Sequence, residues 1–492
     1  MSINVRVQRL NEEPERPGAR YVLYWMQMNR RAESNHALEH AVGEANRLGL
    51  PLLVYEAVTC TYPYASDRFH QFLLEGVPDT QRRLEKRGIG YAFYLRRRKA
   101  EANDVLYRLA AEAALCVTDD YPTFIATRHN ASVPGKIGIP YVAVDSSCIV
   151  PMRLHEKKQY AAYTIRPRIK KMLPDFLRPV ERVEVEQPWP GAGVERGRRG
   201  AGVEPLSVTG GWRGGRPEWH VEVTRENIAE LVASCEIDHT VGPSLSYRGG
   251  YDEARRHLDH FLKNNLKRYD TGRNNPWDHA TSNMSPYLHF GHISAHEVAL
   301  GAQLAAFENG LDAEPFLEEL IVRRELAFNH AVWAREVDAL DSIPGWAQEA
   351  LRKHAADKRE PCYTREEFER AATHDALWNA TQKEMLLRGK IHGYYRMYWG
   401  KKVIEWSATP QEALETMVYL HDRYALDGRD PNTYTNILWC FGLHDRPWQE
   451  RPVFGMIRYM GLEGMKRKTS VDAYLREIAH MESTGSDPFR LK

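Results

Sequence analysis

Cysteine is scarce: the chain has six in 492 residues (Cys60, Cys116, Cys148, Cys235, Cys362, Cys440), none in a C-x-x-C pair. That scatter excludes a zinc ribbon and a disulfide framework, and it implies a reducing compartment. No apolar run approaches the ~20 residues needed to span a bilayer. The opening MSINVRVQRLNEEPERPGAR lacks the apolar core of a secretory signal. A cytoplasmic location and no membrane role are therefore expected. An excess of one charge is also missing, with 67 Lys and Arg against 66 Asp and Glu. Any basic surface for a polyanion must then be local. The G-x-G-x-x-G dinucleotide fingerprint is absent after the first strand-like run.

What is present suits a globular protein: 43% apolar and 27% charged residues, with 12 Trp and 25 Tyr. The length exceeds the ~250–300 residues at which one core usually divides, so two domains are expected. Strand-like YVLYWM (21–26), PLLVYEAV (51–58), YAFYLR (91–96), LCVTDD (115–120) and YVAVDSS (141–147) alternate with helical patterns over 36–49, 69–88 and 102–114. That order predicts a Rossmann-like α/β domain over 20–150, its parallel sheet covered by helices on both faces. Residues 151–220 read as a connector. Its stretch 185–219 is rich in Gly, Arg and Pro, with GAGVE at 191–195 and 200–204. The composition predicts a flexible linker, with an RGG-like nucleic-acid segment as the other reading. From 221 to 485 the three- and four-residue apolar spacing predicts a larger all-α domain.

Four segments could carry chemistry. RYDTGRNNPWDHATSNMSPYLHFGHIS (268–294) combines turn residues and hydroxyls ahead of a helix start at Ser285–Pro286, which suits a phosphate or simply a capped loop. His289, His292 and His296 have helical spacing but no carboxylate or Cys set around them, so they read as satisfied core or surface histidines. In EPFLEELIVRRELAFNHAVWAR (314–335), most charges read as solvated pairs, while a Glu held near the apolar face could have a raised pKa. Residues 382–406 hold six Lys or Arg against two Glu among Tyr, Met and Trp. The pattern suits nucleic acid, or a core-facing aromatic stripe. Trp399 and Trp406 lie two helical turns apart, about 10 Å along the axis. In the polar loop at 425–448, Asp427 could pair with Arg396 across a helix hairpin.

These segments together resemble the photolyase/cryptochrome superfamily, specifically class II cyclobutane-pyrimidine-dimer photolyases. The resemblance rests on Y-x3-R-x2-P (269–276), TSNMSPYLHFG (281–291), EELIVRREL (318–326), LWN-x2-Q-x-EM (377–385), GKIHGYYRMYWGKKVIEW (389–406), DGRDPN (427–432) and RPVFGMIRYMGLEGMKRK (451–468). It implies an α/β antenna domain and a helical domain holding U-shaped FAD, active as FADH⁻, with a deazaflavin- or folate-type antenna chromophore as a further option. Residue by residue, Tyr269, Thr281, Ser282, Asn283, Met284, Ser285 and Gly428 would hold FAD, with an Arg396–Asp427 salt bridge beside its ring system. Glu319 would hydrogen-bond the dimer, Met397 and Trp439 would line the lesion pocket, and Arg273 would contact the lesion phosphate. Trp399, Trp378 and Trp406 would pass electrons from the surface. The implied activity is light-driven repair of pyrimidine dimers in DNA by a monomer with no obligate protein partner.

Three positions depart from the pattern. His421 stands where the class II pattern has Asn, associated with flavin N5, and Asn436 stands where it has Gly. Either Asn436 takes over that contact or His421 keeps it with pH-dependent behaviour. His36 replaces a common Trp, which bears on the antenna. The rivals are a cryptochrome-like photoreceptor, repair of (6-4) photoproducts, and a flavoenzyme without a nucleic-acid partner. Glu319, Met397, Trp439 and the absence of a long tail after about residue 480 argue for repair of dimers.

Overall fold

A computed structural model describes residues 3–190 and 217–491. Of the expected linker, 191–216 and both GAGVE copies lie outside the described residues. Six strands form one sheet: β1 (Val7–Arg9), β2 (Tyr21–Met26), β3 (Leu52–Thr59), β4 (Gly90–Arg96), β5 (Ala113–Asp119) and β6 (Tyr141–Val144). Their order is β1-β6-β5-β2-β3-β4. All neighbours are parallel except β1, which pairs antiparallel with β6 at the edge. β2 is buried at all six positions, as a central strand covered on both faces requires. Its Val22, Tyr24 and Met26 enter one core and Leu23 and Trp25 the other.

The helices on this sheet are α1 (His36–Leu48), α2 (Asp67–Lys86), α3 (Val105–Ala110) and α4 (Phe124–Ser132), followed by α5 (Ala162–Phe176) in the connector. α1 begins where the Asn35 side chain accepts from the Ala37 and Leu38 amides, and it ends at left-handed Gly49. One expectation needs correction. The helix expected over 102–114 stops at Ala110, because Ala113 already pairs with Tyr21 in the sheet. β1 and α4 were not anticipated at all.

Beyond the sheet the described chain is built of helices and loops, with isolated bridges only between Ser66 and Asp238 and between Arg451 and Gly455. The α/β-then-helical architecture expected from the pattern is therefore the one adopted. One apolar core runs from Val22 and Phe72 of the α/β unit to Tyr287 and Phe290 of the helical part, which makes the two a shared structure rather than loosely tethered bodies. A second core encloses Trp378, Trp399 and Trp406. Arg68 of α2 is buried and donates to the carbonyls of Gly242, Met385, Leu386 and Tyr424. Three of these close the helices Ala376–Arg388 and Pro410–Tyr424, where unpaired carbonyls and the dipole favour a cation.

The tightest junction is at Gly291, whose φ is +69° and whose added Cβ would lie 1.9 Å from the Met28 carbonyl oxygen just beyond β2. Below it, Asp119 at the end of β5 accepts from the Gln27, Met28 and Asn29 amides and the Tyr24 hydroxyl at 2.8–3.0 Å. Gly291→Ala should cost roughly 2–4 kcal/mol through strain and forced separation. Thermal unfolding checks this, and an unchanged melting temperature would contradict the junction.

Candidate functional site

Two helices are locally re-registered where the site forms. The run Tyr251–Gly272 carries a π-helical stretch at Phe261–Asn265, and the helix Glu314–Trp333 carries another at Glu318–Arg323. Such insertions re-aim the side chains that follow them. Tyr269 packs on Phe261 and Phe316, and Arg273 lies over its ring while donating to Glu319 at 3.1 Å. Glu319 is 45% exposed. Beyond the π stretch, Arg324 donates to the Ser147 carbonyl, and Glu325 accepts from the Ile149 and Val150 amides. Burial pushes the Glu325 carboxyl up to about 8, against the pull of Arg324. The Glu of raised pKa in this segment is thus Glu325, at the seam with the sheet.

The loop before the helix Ser285–His289 is shaped by Asn283, whose φ of +56° suits an Asn. Its side-chain oxygen accepts from Lys390 at 3.0 Å and Thr281 at 3.3 Å. Opposite it, Arg396 of the helix Gly393–Trp406 reaches Asp427 at 2.9 and 3.0 Å, and Ser285 donates to the same carboxylate at 2.7 Å. Burial alone would raise the Asp427 carboxyl, but Arg396, Lys390 and Ser285 hold it below the usual range. Asp430 caps the helix Pro431–Cys440, which carries Asn436 and Trp439.

These groups surround a cavity of about 520 Å³. Of the expected site residues, Tyr269, Arg273, Thr281, Ser282, Met284, Ser285, Glu319, Arg396, Met397, Asp427, Asn436 and Trp439 line it, while Asn283 lines an adjoining cavity of about 500 Å³. Gly428 is not on the wall; it abuts the last turn of the helix Pro410–Tyr424, where a Cβ would meet the His421 carbonyl oxygen at 2.4 Å. His421 is not on the wall either. Lys390, Arg458 and Met460 line the cavity without having been singled out, although all three lie in the quoted 389–406 and 451–468 segments. The buried Arg396 Nε has no hydrogen-bond partner among the described residues. Hydroxyls, cations and one fixed carboxylate beside Phe316, Leu320, Met397 and Trp439 form a donor set that fits a flat, polar-edged ring carrying a phosphate chain.

The tryptophans form a continuous chain, stacked between Trp399 and Trp378 and edge-on between Trp378 and Trp406. Trp399 and Trp378 lie 5.9 Å apart with planes at 10°, and Trp378 and Trp406 lie 6.3 Å apart. Trp406 is itself buried, at 3% exposed. Tyr363 and His374 cover it at 5.8 and 4.7 Å. The cations of 382–406 also turn inward. Arg388 is held by Glu384, Glu477 and Asp487, and Lys401 donates to the Cys440 carbonyl. The core-facing reading of that stretch describes Arg388 and Lys401, whereas Lys390 and Arg396 line the cavity. His289, His292 and His296 are buried, and among the described residues no group of three or more His, Cys, Asp or Glu is placed to hold a metal. His36 packs edge-on against His296. No described helix is long and apolar enough to cross a membrane.

An α/β sheet fused to a helical body that holds a charged cavity defines a two-part architecture, and comparison narrows it. A model of the DNA photolyase family matches residues 22–188. A deoxyribodipyrimidine photo-lyase of Methanothermobacter thermautotrophicus is 39% identical over 475 residues, 96% of this chain and 98% of the relative. The enzymes so named from Oryza sativa and Potorous tridactylus are 36% and 35% identical over 97% and 93% of this chain, and 90% and 81% of their own lengths. A bacterial class III photolyase from Agrobacterium tumefaciens shares the fold, with TM-score 0.64 and 16% identity over 97% of this chain and 90% of that one. The chain belongs to the DNA photolyase family.

His421 donates Nδ1–H to the Met417 carbonyl and lies edge-on to Trp399 at 5.0 Å. Burial, helped by Arg396, pushes its imidazole down to about 3. Folded His421 is therefore neutral where the unfolded residue, at ~6.5, takes up a proton. The stability it contributes is complete above pH 6.5 and falls as pH drops toward 3. Between pH 7 and 5 the wild type should lose about 2 kcal/mol more than His421→Asn, measured by denaturant unfolding. Equal losses would show that His421 is accessible to protons.

Proposed function

We propose that this protein is a light-driven DNA repair lyase of the class II photolyase type, acting on cyclobutane pyrimidine dimers with FAD as its cofactor. The observation that carries the reading is the single cavity that joins the Arg396–Asp427 floor to a mouth formed by Arg273, Glu319, Met397 and Trp439. Tyr269, Thr281, Ser282, Asn283, Met284 and Ser285 would hold the phosphates and ribityl chain, with Lys390 a further cation for the phosphates. The Arg396–Asp427 pair would sit at the ring system. When bound and reduced, FAD supplies the light-driven electron that opens the cyclobutane ring.

The chain's own residues bind, orient and exclude water. A dimer extruded from the helix costs less to unstack than intact bases, because it is already distorted. Met397 and Trp439 give it an apolar wall, and Arg273 meets its phosphate. Seating it would enclose Glu319 at the mouth, where this side chain would hydrogen-bond the dimer. Asn436, on the cavity wall, is the amide we assign to flavin N5, since His421 is off the wall and holds its Nδ1 proton on Met417. The line of Trp399, Trp378 and Trp406 serves to reduce the cofactor, with Tyr363 and His374 between it and solvent. We extend the reading to an antenna role for 20–150 at the carboxyl ends of the strands, a connector at 151–220, cofactor and lesion binding by 221–485, and a cytoplasmic monomer.

Purified protein should show flavin absorption and restore a thymine-dimer oligonucleotide in light and not in darkness; protein that cannot hold flavin after reconstitution would end the proposal. Glu319→Ala should lower the repair rate ~10-fold, the worth of a hydrogen bond to a charged group. Trp378→Phe should slow photoreduction of the bound flavin in the absence of DNA. Asn436→Ala with unchanged flavin redox behaviour would remove that residue from the assignment.

A further inference from the structure

The connector carries a local charge excess that the site above does not use. Residues 153–171, RLHEKKQYAAYTIRPRIKK, hold seven Lys or Arg and one acid in a chain whose net charge is +1. α5 buries Ala162, Ile165, Ile169 and Phe176. The opposite stripe, with Tyr163, Pro167, Lys170 and Lys171, therefore faces solvent. Arg153, Arg166 and Lys170 pair with Asp120, Glu318 and Glu314. Lys157, Lys158, Arg168 and Lys171 have no ion-pair partner among the described residues.

Two aromatic rings stand among these cations. Tyr163 is 65% and Tyr160 47% exposed, with centroids 6.3 Å apart. Tyr160 is anchored at both ends: its carbonyl accepts from His444 at 2.7 Å, and its hydroxyl accepts from Trp346 at 3.3 Å. Large exposed aromatics packed on a fixed backbone mark a contact surface. The strip also leads into the lesion mouth. Arg166 holds Glu318 at 2.7 and 3.0 Å, Arg323 lies beside the same carboxylate at 3.5 Å, and the Arg323 guanidinium sits over the Trp439 ring at 5.7 Å.

We propose that Lys157, Tyr160, Tyr163, Arg168 and Lys171 form the track for the damaged DNA strand where it leaves the lesion cavity. The cations neutralise flanking phosphates, and the paired tyrosines stack a base unstacked by extrusion of the dimer. Unpaired cations interleaved with exposed aromatics are the recognition chemistry of single-stranded nucleic acid, and continuity with the mouth selects the damaged strand over its complement. The inference rests on the repair reading of the cavity.

The test is binding to single-stranded and duplex oligonucleotides carrying one thymine dimer, over a salt series, with the flavin-loaded full chain. The triple variant K157Q/R168Q/K171Q should lower the salt slope on the single strand by about 2, three phosphate contacts at ~0.7 each. The variant Y160A/Y163A should bind both substrates ~10-fold more weakly at fixed salt, and Y160F/Y163F should restore binding. An unchanged slope, a loss confined to the duplex, or a Phe variant as weak as the Ala variant would each overturn the proposal. Melting temperature and flavin absorbance of every variant separate these outcomes from misfolding. If the parent protein binds the dimer oligonucleotides but does not repair them in light, the repair reading fails while the track is still measured.

Discussion

The pair between Arg396 and Asp427 is the constraint on which the rest of the site depends. Both groups are removed from water, and such pairs cost desolvation that their mutual attraction barely offsets unless further hydrogen bonds complete the shell. Here the shell is supplied from three directions. Ser285 donates to Asp427 from the phosphate-type loop, Thr433 donates to the Asp427 carbonyl from the next helix, and Lys390 adds a second positive charge. The arrangement fixes a charge rather than maximising stability. It leaves the Arg396 Nε donor unpaired beside the cavity, an incomplete shell that a bound ring or carbonyl can complete.

Holding that floor in place falls partly to the other half of the molecule. Asp430, three residues on, accepts from the Tyr121 hydroxyl at 2.7 Å, just past β5, and from His289 at 3.3 Å. Burial opposes its ionisation, yet the donors from His289 and Asn432 and the Arg324 charge hold the carboxyl well below the usual range. An ionised Asp430 caps the helix bearing Asn436 and Trp439. The orientation of two wall residues therefore depends on the carboxyl edge of the sheet, so the α/β unit is scaffolding for the helical site whatever else it binds.

Much of this was legible in the residues, and the exceptions have physical causes. β2 and α1 follow from an apolar run and a capped amphipathic pattern. β1 has three residues, too few for a period. AEAA (111–114) reads as helix by propensity, but Ala113 and Ala114 are taken by pairing beside β2, so tertiary context overrides an intrinsic preference. The cations of 382–406 give the clearest ambiguity: composition cannot tell a solvated basic face from one whose charges are neutralised internally. Arg388 is neutralised by acids from 384, 477 and 487, two of them about a hundred residues distant in sequence. An exposed run of cations lies instead on the connector, where residues 157–171 contain no acid.

The π-helical stretch at Glu318–Arg323 explains why EELIVRREL can serve two surfaces at once. A regular helix turns 100° per residue, so nine residues with five charges would spread those charges around the axis, and some would enter the apolar core. One extra residue in the turn shifts the register midway. Glu318, Glu319 and Arg323 then point toward the mouth and the connector, while Arg324 and Glu325 point at Ser147, Ile149 and Val150 across the seam. A reading built on a 3.6-residue period cannot see this division, which is why the charges looked like solvated pairs. The re-registered turn lets one helix hold the seam and present Glu319 to whatever enters the cavity.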